Sequence, residues 1–189
     1  MAGIIYFQTN GKKSSDGFEL DFAVNYLSHF LLAHLLIEKL SLAKNSRIIF
    51  VSSSAYINGK VDAENFGKQY FRDPMMAYAT SKQLCLLAAL ELARRLSKTD
   101  VCVNALNPGP TATALLKAGK KYGWRNVGDS PDKAARKIVW LATEPSLEKV
   151  SGKYYNDKKT PNVPKRLRDD KLLSAIYEKS ACLCGAKFL

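Results

Sequence analysis

Tyr78-Ala-Thr-Ser-Lys-Gln-Leu-Cys-Leu-Leu-Ala-Ala-Leu-Glu-Leu-Ala-Arg-Arg-Leu96 is the run from which the rest of the chain can be placed. It is rich in good helix formers and its apolar residues recur at helical spacing, which predicts a helix. Tyr78 and Lys82 stand four residues apart and so project from one face, a turn from each other. A phenol releases its proton near pH ~10, too high for acid–base work at neutrality. A neighbouring ammonium favours the phenolate and brings the group toward the range a proton-transfer catalyst needs. An isolated pair of this kind equally describes a packed tyrosine and a solvated lysine. The surroundings decide.

Upstream, Arg47-Ile-Ile-Phe-Val-Ser-Ser-Ser54 is a β-rich run ending in hydroxyls, and Asp100–Leu106 is a second, followed by Asn107-Pro108-Gly109. Neither alternates in polarity, and a strand–helix–strand order with such runs implies parallel pairing in a buried sheet. Phe18–Leu40 reads as one long helix with more than one apolar stripe, buried on several sides or packed on a partner subunit. Asn25 interrupts it. Residues 55–76 read as irregular, Ser130-Pro131-Asp132 opens a helix to about Thr143, Gly152–Asn156 is a short last strand, and Arg168–Ser180 is a C-terminal helix.

An Asn, a strand-end Ser, a YxxxK and a strand closed by Pro-Gly, in this order, resemble the short-chain dehydrogenase/reductase family, and most of all its retinol-dehydrogenase-like branch. The resemblance runs from about Ala2 to the C-terminus. It implies an α/β fold: the C-terminal portion of a doubly wound, Rossmann-like parallel sheet, as a single truncated domain over residues 1–189. It implies hydride transfer between NAD(P) and a carbonyl or alcohol on a retinoid-, steroid- or other lipophilic molecule. Tyr78 would exchange the proton and Lys82 would lower the phenol pKa and hold the nicotinamide ribose. Asn25 would hold a relay water. Three serines could orient the carbonyl; the family pattern selects Ser53, with Ser52 next. Pro108, Gly109, Thr111 and Thr113 fall where the family contacts its cofactor, although the two threonines also suit a turn or cap. Residues 114–130, with Lys117, Lys120, Lys121 and Trp124, correspond to a substrate-covering loop.

The chain departs from the family at its start. Of an Asn-Asn-Ala-Gly turn only Ala2 and Gly3 have counterparts, and neither GxGxxG nor TGxxxGxG occurs anywhere. That glycine-rich turn lets backbone N–H groups at a helix N-terminus approach a pyrophosphate. In relatives about three βα units of roughly 30 residues each precede this point. The chain therefore reads as an enzyme's C-terminal two-thirds, whose NAD(P) binding is reduced or lost. The alternative is an inactive truncated form acting only as an interaction or structural partner.

The net charge is +12, but the basic residues are scattered and no aromatic-and-basic platform accompanies them, so solvated surface rather than nucleic-acid binding is expected. Cys85 and Cys102 read as reduced core residues, Cys182 and Cys184 as a lone CxC, His29 and His34 as packing or surface; no metal site is expected. No secretory signal and no run of ~18 apolar residues occurs, which points to a soluble, cytoplasmic chain; a membrane anchor would belong to a longer form. The long helices 18–40 and 78–96 are candidate homo-oligomer surfaces.

Overall fold

The β-rich runs form a sheet of three parallel strands, β1 (Arg47–Val51), β2 (Cys102–Asn107) and β3 (Tyr154–Asn156), in that spatial order. The computed structural model describes residues 3–6, 12–69, 71–119 and 127–185. Ile48 lies opposite Val103, Phe50 opposite Ala105, and Leu106 opposite Tyr155. All six residues of the central strand are buried, as the absence of alternation predicts. Around the sheet lie α1 (Ser28–Ser41), α2 (Pro74–Arg95), α3 (Ala114–Gly119), α4 (Pro131–Thr143) and α5 (Asp170–Leu183).

Helix α2 starts a full turn before Tyr78. The Asp73 side chain accepts the Met75 N–H (2.9 Å) and Pro74 occupies the first turn, a start signal hidden in the run read as irregular. That run also holds a 3-10 helix, Ser54–Asn58. One side of α2 packs on the sheet and the other under α5, and Leu86 and Leu87 are wholly buried. The Glu91 carboxylate, also buried, accepts from Arg94 Nε and Arg95 Nε (both 2.8 Å) and from Ser174 of α5 (3.3 Å). The Arg95 guanidinium lies 3.7 Å above the Tyr177 ring. The side of α2 turned away from the sheet is covered by the chain's own α5. Leu32, Leu35 and Leu36 of α1 remain exposed.

The segment 18–40 is not one α-helix. It opens with a π-helical stretch, Phe22–Leu27, before α1 begins. Phe22, Tyr26 and Phe30 stack along its buried side, with ring centroids 5.4 and 5.8 Å apart. On the other side Asn25 holds residues 3–6. Its Oδ1 accepts the Ile4 N–H (2.8 Å) and its Nδ2 donates to Ile4 O (2.9 Å). The freed Asn25 carbonyl accepts from Cys85 Sγ (3.2 Å) and faces His29 Nδ1 (3.1 Å). His34 is buried against Phe30 O and the Tyr177 hydroxyl, a packing role.

In the segment 114–130, α3 replaces part of the expected loop, and Ser130 caps α4 by accepting the Lys133 N–H (3.3 Å). Met1, Ala2, Lys120, Lys121, Gly123 and Trp124 lie outside the described residues. Helix α5 extends to Leu183, beyond the expected Ser180. Among the described residues no cluster of metal-ligating side chains occurs, and no helix is long and apolar enough to cross a membrane.

Leu87→Ala, at a site closed by sheet and helices, is expected to cost about 2–5 kcal/mol in chemical denaturation, and an effect under ~1 kcal/mol would contradict this packing. Asp21, beneath Asn25, is fully buried; its Oδ2 accepts the Tyr6 N–H (3.1 Å). Burial first, then the Glu19 carboxylate, push its pKa from 3.8 up to about 7, against the pull of Lys82. An acid with a raised folded-state pKa loses stability as pH rises from its unfolded to its folded value. Stability should therefore fall between about pH 4 and 7, and Asp21→Asn should flatten that fall. An unchanged slope in thermal melts of the variant would refute the assignment.

Candidate active site

Three elements bring their ends to one place. The hydroxyl-bearing residues after β1, the first turns of α2 and the turn after β2 line a cavity of about 760 Å³ whose wall is mostly apolar. Ser53, Tyr78, Lys82, Pro108, Gly109, Thr111 and Thr113 all face it. These are seven of the eight residues singled out from the sequence. Asn25 does not line it; it lines the adjoining groove, which shares Lys82 and Val51.

Two of the three serines separate clearly. Ser52 is buried and its Oγ donates to Lys82 O (2.7 Å), a bond that fastens β1 to α2. Ser53 starts the 3-10 helix, its Oγ accepting the Ala55 N–H (3.2 Å), and its hydroxyl is near enough to the Tyr78 phenol to favour the ionised form. Ser53 and Tyr78 thus present two adjoining hydroxyls to the cavity. A carbonyl oxygen held between two such donors would have developing negative charge stabilised in place.

Lys82 is buried, with Nζ 5.7 Å from the Tyr78 ring centroid and 3.1 Å from Val51 O. The reason for the second contact lies in the sheet. Cys102 N–H donates to Ser46 O and Ser52 N–H donates to Leu106 O, so the even-numbered residues of β1 face β2. Arg47, Ile49 and Val51 therefore turn their backbone groups to the outer edge, where no described strand pairs. The ammonium satisfies one of these edge carbonyls.

The phenol pKa is raised rather than lowered. Burial is the largest cause, the Ser53 hydroxyl works against it, and Cys85 and Asp21 add to it. Desolvation wins over the pull of Ser53, and the phenol stays protonated at neutral pH, as an ordinary tyrosine does.

Sequence reasoning missed four supporting residues. Ser81 Oγ accepts from Asn25 Nδ2 (3.0 Å) and donates to Tyr78 O (2.7 Å), joining the π-helical turn to α2. Asp21 Oδ1 lies 3.4 Å from the same Asn25 amide. The Asn107 side chain accepts the Gly109 N–H (3.0 Å), and Gly109 has φ +84°, a conformation that favours glycine. The Asn-Pro-Gly order was a usable turn signal. Lys137 of α4 donates to Pro108 O (3.0 Å) and to Asp129 (3.1 Å), and nothing in the local sequence announces it. Thr111 and Thr113 donate within the loop, to Gly109 O (3.1 Å) and Thr111 O (3.4 Å), while lining the cavity.

Known proteins share this arrangement of chain. Retinol dehydrogenase 13 of Mus musculus is 36% identical over 187 residues, covering 91% of this chain and 55% of its own length. The chain thus spans about half the length of the relatives it matches. Among solved structures, an uncharacterized protein from Mycobacterium Paratuberculosis superposes with a TM-score of 0.73 at 24% identity, covering 93% of this chain and 62% of that one. The 3-alpha-hydroxysteroid dehydrogenase from Pseudomonas sp. B-0831, complexed with NADH, does so with 0.64 at 21% identity, covering 83% and 68%. Both likenesses place the fold among Rossmann-like sheets. The sequence model of short chain dehydrogenases matches residues 1–122, and with the retinol dehydrogenase likeness it settles descent: this chain belongs to the short chain dehydrogenase family.

Proposed function

We propose that the chain is the substrate- and proton-handling part of an NAD(P)-dependent oxidoreductase that interconverts a carbonyl and an alcohol on a lipophilic, retinoid- or steroid-like molecule. The observation that carries this reading is that Ser53 and Tyr78 line the wall of one largely apolar cavity, with the Lys82 ammonium 5.7 Å from the phenol ring. The relatives' names agree in kind: one is a retinol dehydrogenase, another a hydroxysteroid dehydrogenase solved with NADH.

The residues present fit the nicotinamide end of such a cofactor. Lys82 keeps N–H groups beyond the one given to Val51 O, and the turn Asn107–Gly109 with Thr111 and Thr113 forms the facing wall. They do not supply a pyrophosphate cradle, since no glycine-rich strand-to-helix turn occurs in the sequence. When bound, the nicotinamide would supply or take up the hydride. The chain's own part is acid–base and orienting work. Ser53 donates to the substrate oxygen, and Tyr78, protonated at neutral pH and held so further up the pH scale by its burial, gives that oxygen its proton in the reducing direction. Asn25 and Ser81 hold the π-helical turn against α2, keeping Lys82 beside the phenol.

A second reading rests on the outer edge of β1, which no described strand pairs: a non-catalytic chain that serves as an interaction or structural partner. Titration of NADH and NADPH into the purified chain, followed by nicotinamide fluorescence, separates the two. The enzyme reading predicts saturable binding below about a millimolar and turnover that Tyr78→Phe lowers by 10²-fold or more. A folded sample that binds neither nucleotide would leave only the second reading.

A further inference from the structure

The cavity of the Ser53–Tyr78 pair does not end at those hydroxyls. It shares Ala55 and Met75 with an outer groove of about 530 Å³ that runs along the first turns of α2. The floor of the groove is apolar, made by Ile57, Met75, Met76 and Ala79. Lys60, Arg166 and Asp73 supply its charged lining. Two cations stand against the one carboxylate, whose Oδ1 accepts the Met75 N–H as the cap of α2, so the net charge of the groove is positive.

The wall that carries these cations is built rather than draped. Gln83, buried in α2, donates through Nε2 to Tyr56 O (2.8 Å) and Gly59 O (3.0 Å). Thr80 Oγ1 accepts the Lys60 N–H (3.0 Å), and Arg166 Nη2 donates to Ile57 O (3.1 Å). A Cβ on Gly59 would fall 2.7 Å from Gln83 Cβ and 2.8 Å from Ala79 O, so this turn lies directly on the helix. Residues 56–60 are thus fixed at both ends, and with them the places of Lys60 and Arg166. The Arg166 guanidinium is near enough to the Tyr56 phenol to favour its ionised form, against burial.

We propose that the outer groove is a specificity subsite for the far end of the substrate, and that this end is anionic. The substrate class is then an elongated apolar molecule with its carbonyl or alcohol at Ser53 and Tyr78 and a carboxylate-like group at Arg166 and Lys60. This rests on the oxidoreductase reading above for the position of the reacting end, and adds the chemistry of the other.

Isothermal titration of the purified chain with decanol and with ω-hydroxydecanoate tests it. The two probes share the reacting alcohol and differ at the far end. ω-Hydroxydecanoate is expected to bind roughly fivefold tighter, the scale of a rim ion pair, and to lose that advantage as salt is raised. Arg166→Gln, which keeps a donor for Ile57 O but removes the charge, should erase the advantage and leave decanol unchanged; Arg166→Lys should restore part of it. Equal binding of both probes to the unaltered chain would overturn the subsite and leave the oxidoreductase reading standing. An equal loss for both probes in Arg166→Gln would mean a structural role for Arg166 and would also overturn it. Binding of neither probe would remove both readings.

Discussion

Helix α2 is enclosed by the sheet on one side, by the π-helical turn and the 3-10 helix Ser54–Asn58 along its flanks and by α5 on its outer face, and this enclosure positions the site. A helix buried on all faces cannot rotate without opening the core, so Tyr78, Ser81 and Lys82 are held in azimuth by leucines two turns away. The polar contacts follow from that placement. Ser52 fastens the strand to the helix backbone at Lys82, Ser81 fastens the π-helical turn to it at Tyr78, and Gln83 fastens the 3-10 helix. Three consecutive turns of chain are tied to one helix by side chains that α2 itself supplies or accepts.

Much of this could be read from the residues. The β-rich runs without alternation, the helix-forming run between them and the i,i+4 spacing of Tyr78 and Lys82 are local signals, and the parallel sheet follows from them. The choice of Ser53 over Ser52 was not a local signal. The two differ only in which way an extended chain turns each hydroxyl, one to the Lys82 carbonyl and the other to the cavity. The π-helical turn was also hidden, because its cause is tertiary: Asn25 bonds to Ile4, 21 positions away. The same holds for Lys137, which reaches the Pro108 carbonyl across 29 positions. The covering of α2 by α5 depends on Arg95 meeting Tyr177, a contact no periodicity encodes.

Electrostatics at the site run against the simplest expectation. A lysine one turn from a tyrosine should ease its ionisation, yet the phenol is raised, because burial acts on it directly while the ammonium turns to an edge carbonyl of β1. The open edge of the sheet and the chemistry are therefore linked. Anything that pairs with Val51 on that edge would free the Lys82 ammonium to act on the phenol instead. Asp21 adds a buried carboxyl to the same neighbourhood, and its charge opposes ionisation of Tyr78 as well.

The central claim is that the Ser53 hydroxyl lies close enough to the buried Tyr78 phenol to influence its ionisation, as the proposed proton transfer requires. The most direct test is a titration of Tyr78 by NMR with carbon-labelled tyrosine, in the unaltered chain and in Ser53→Ala. The account predicts a phenol that titrates above its ordinary value of 10.0, and higher still in Ser53→Ala, because the serine hydroxyl is what lowers it. A Tyr78 that titrates at or below the ordinary value, or that is indifferent to loss of the Ser53 hydroxyl, would contradict the proximity on which the functional reading stands.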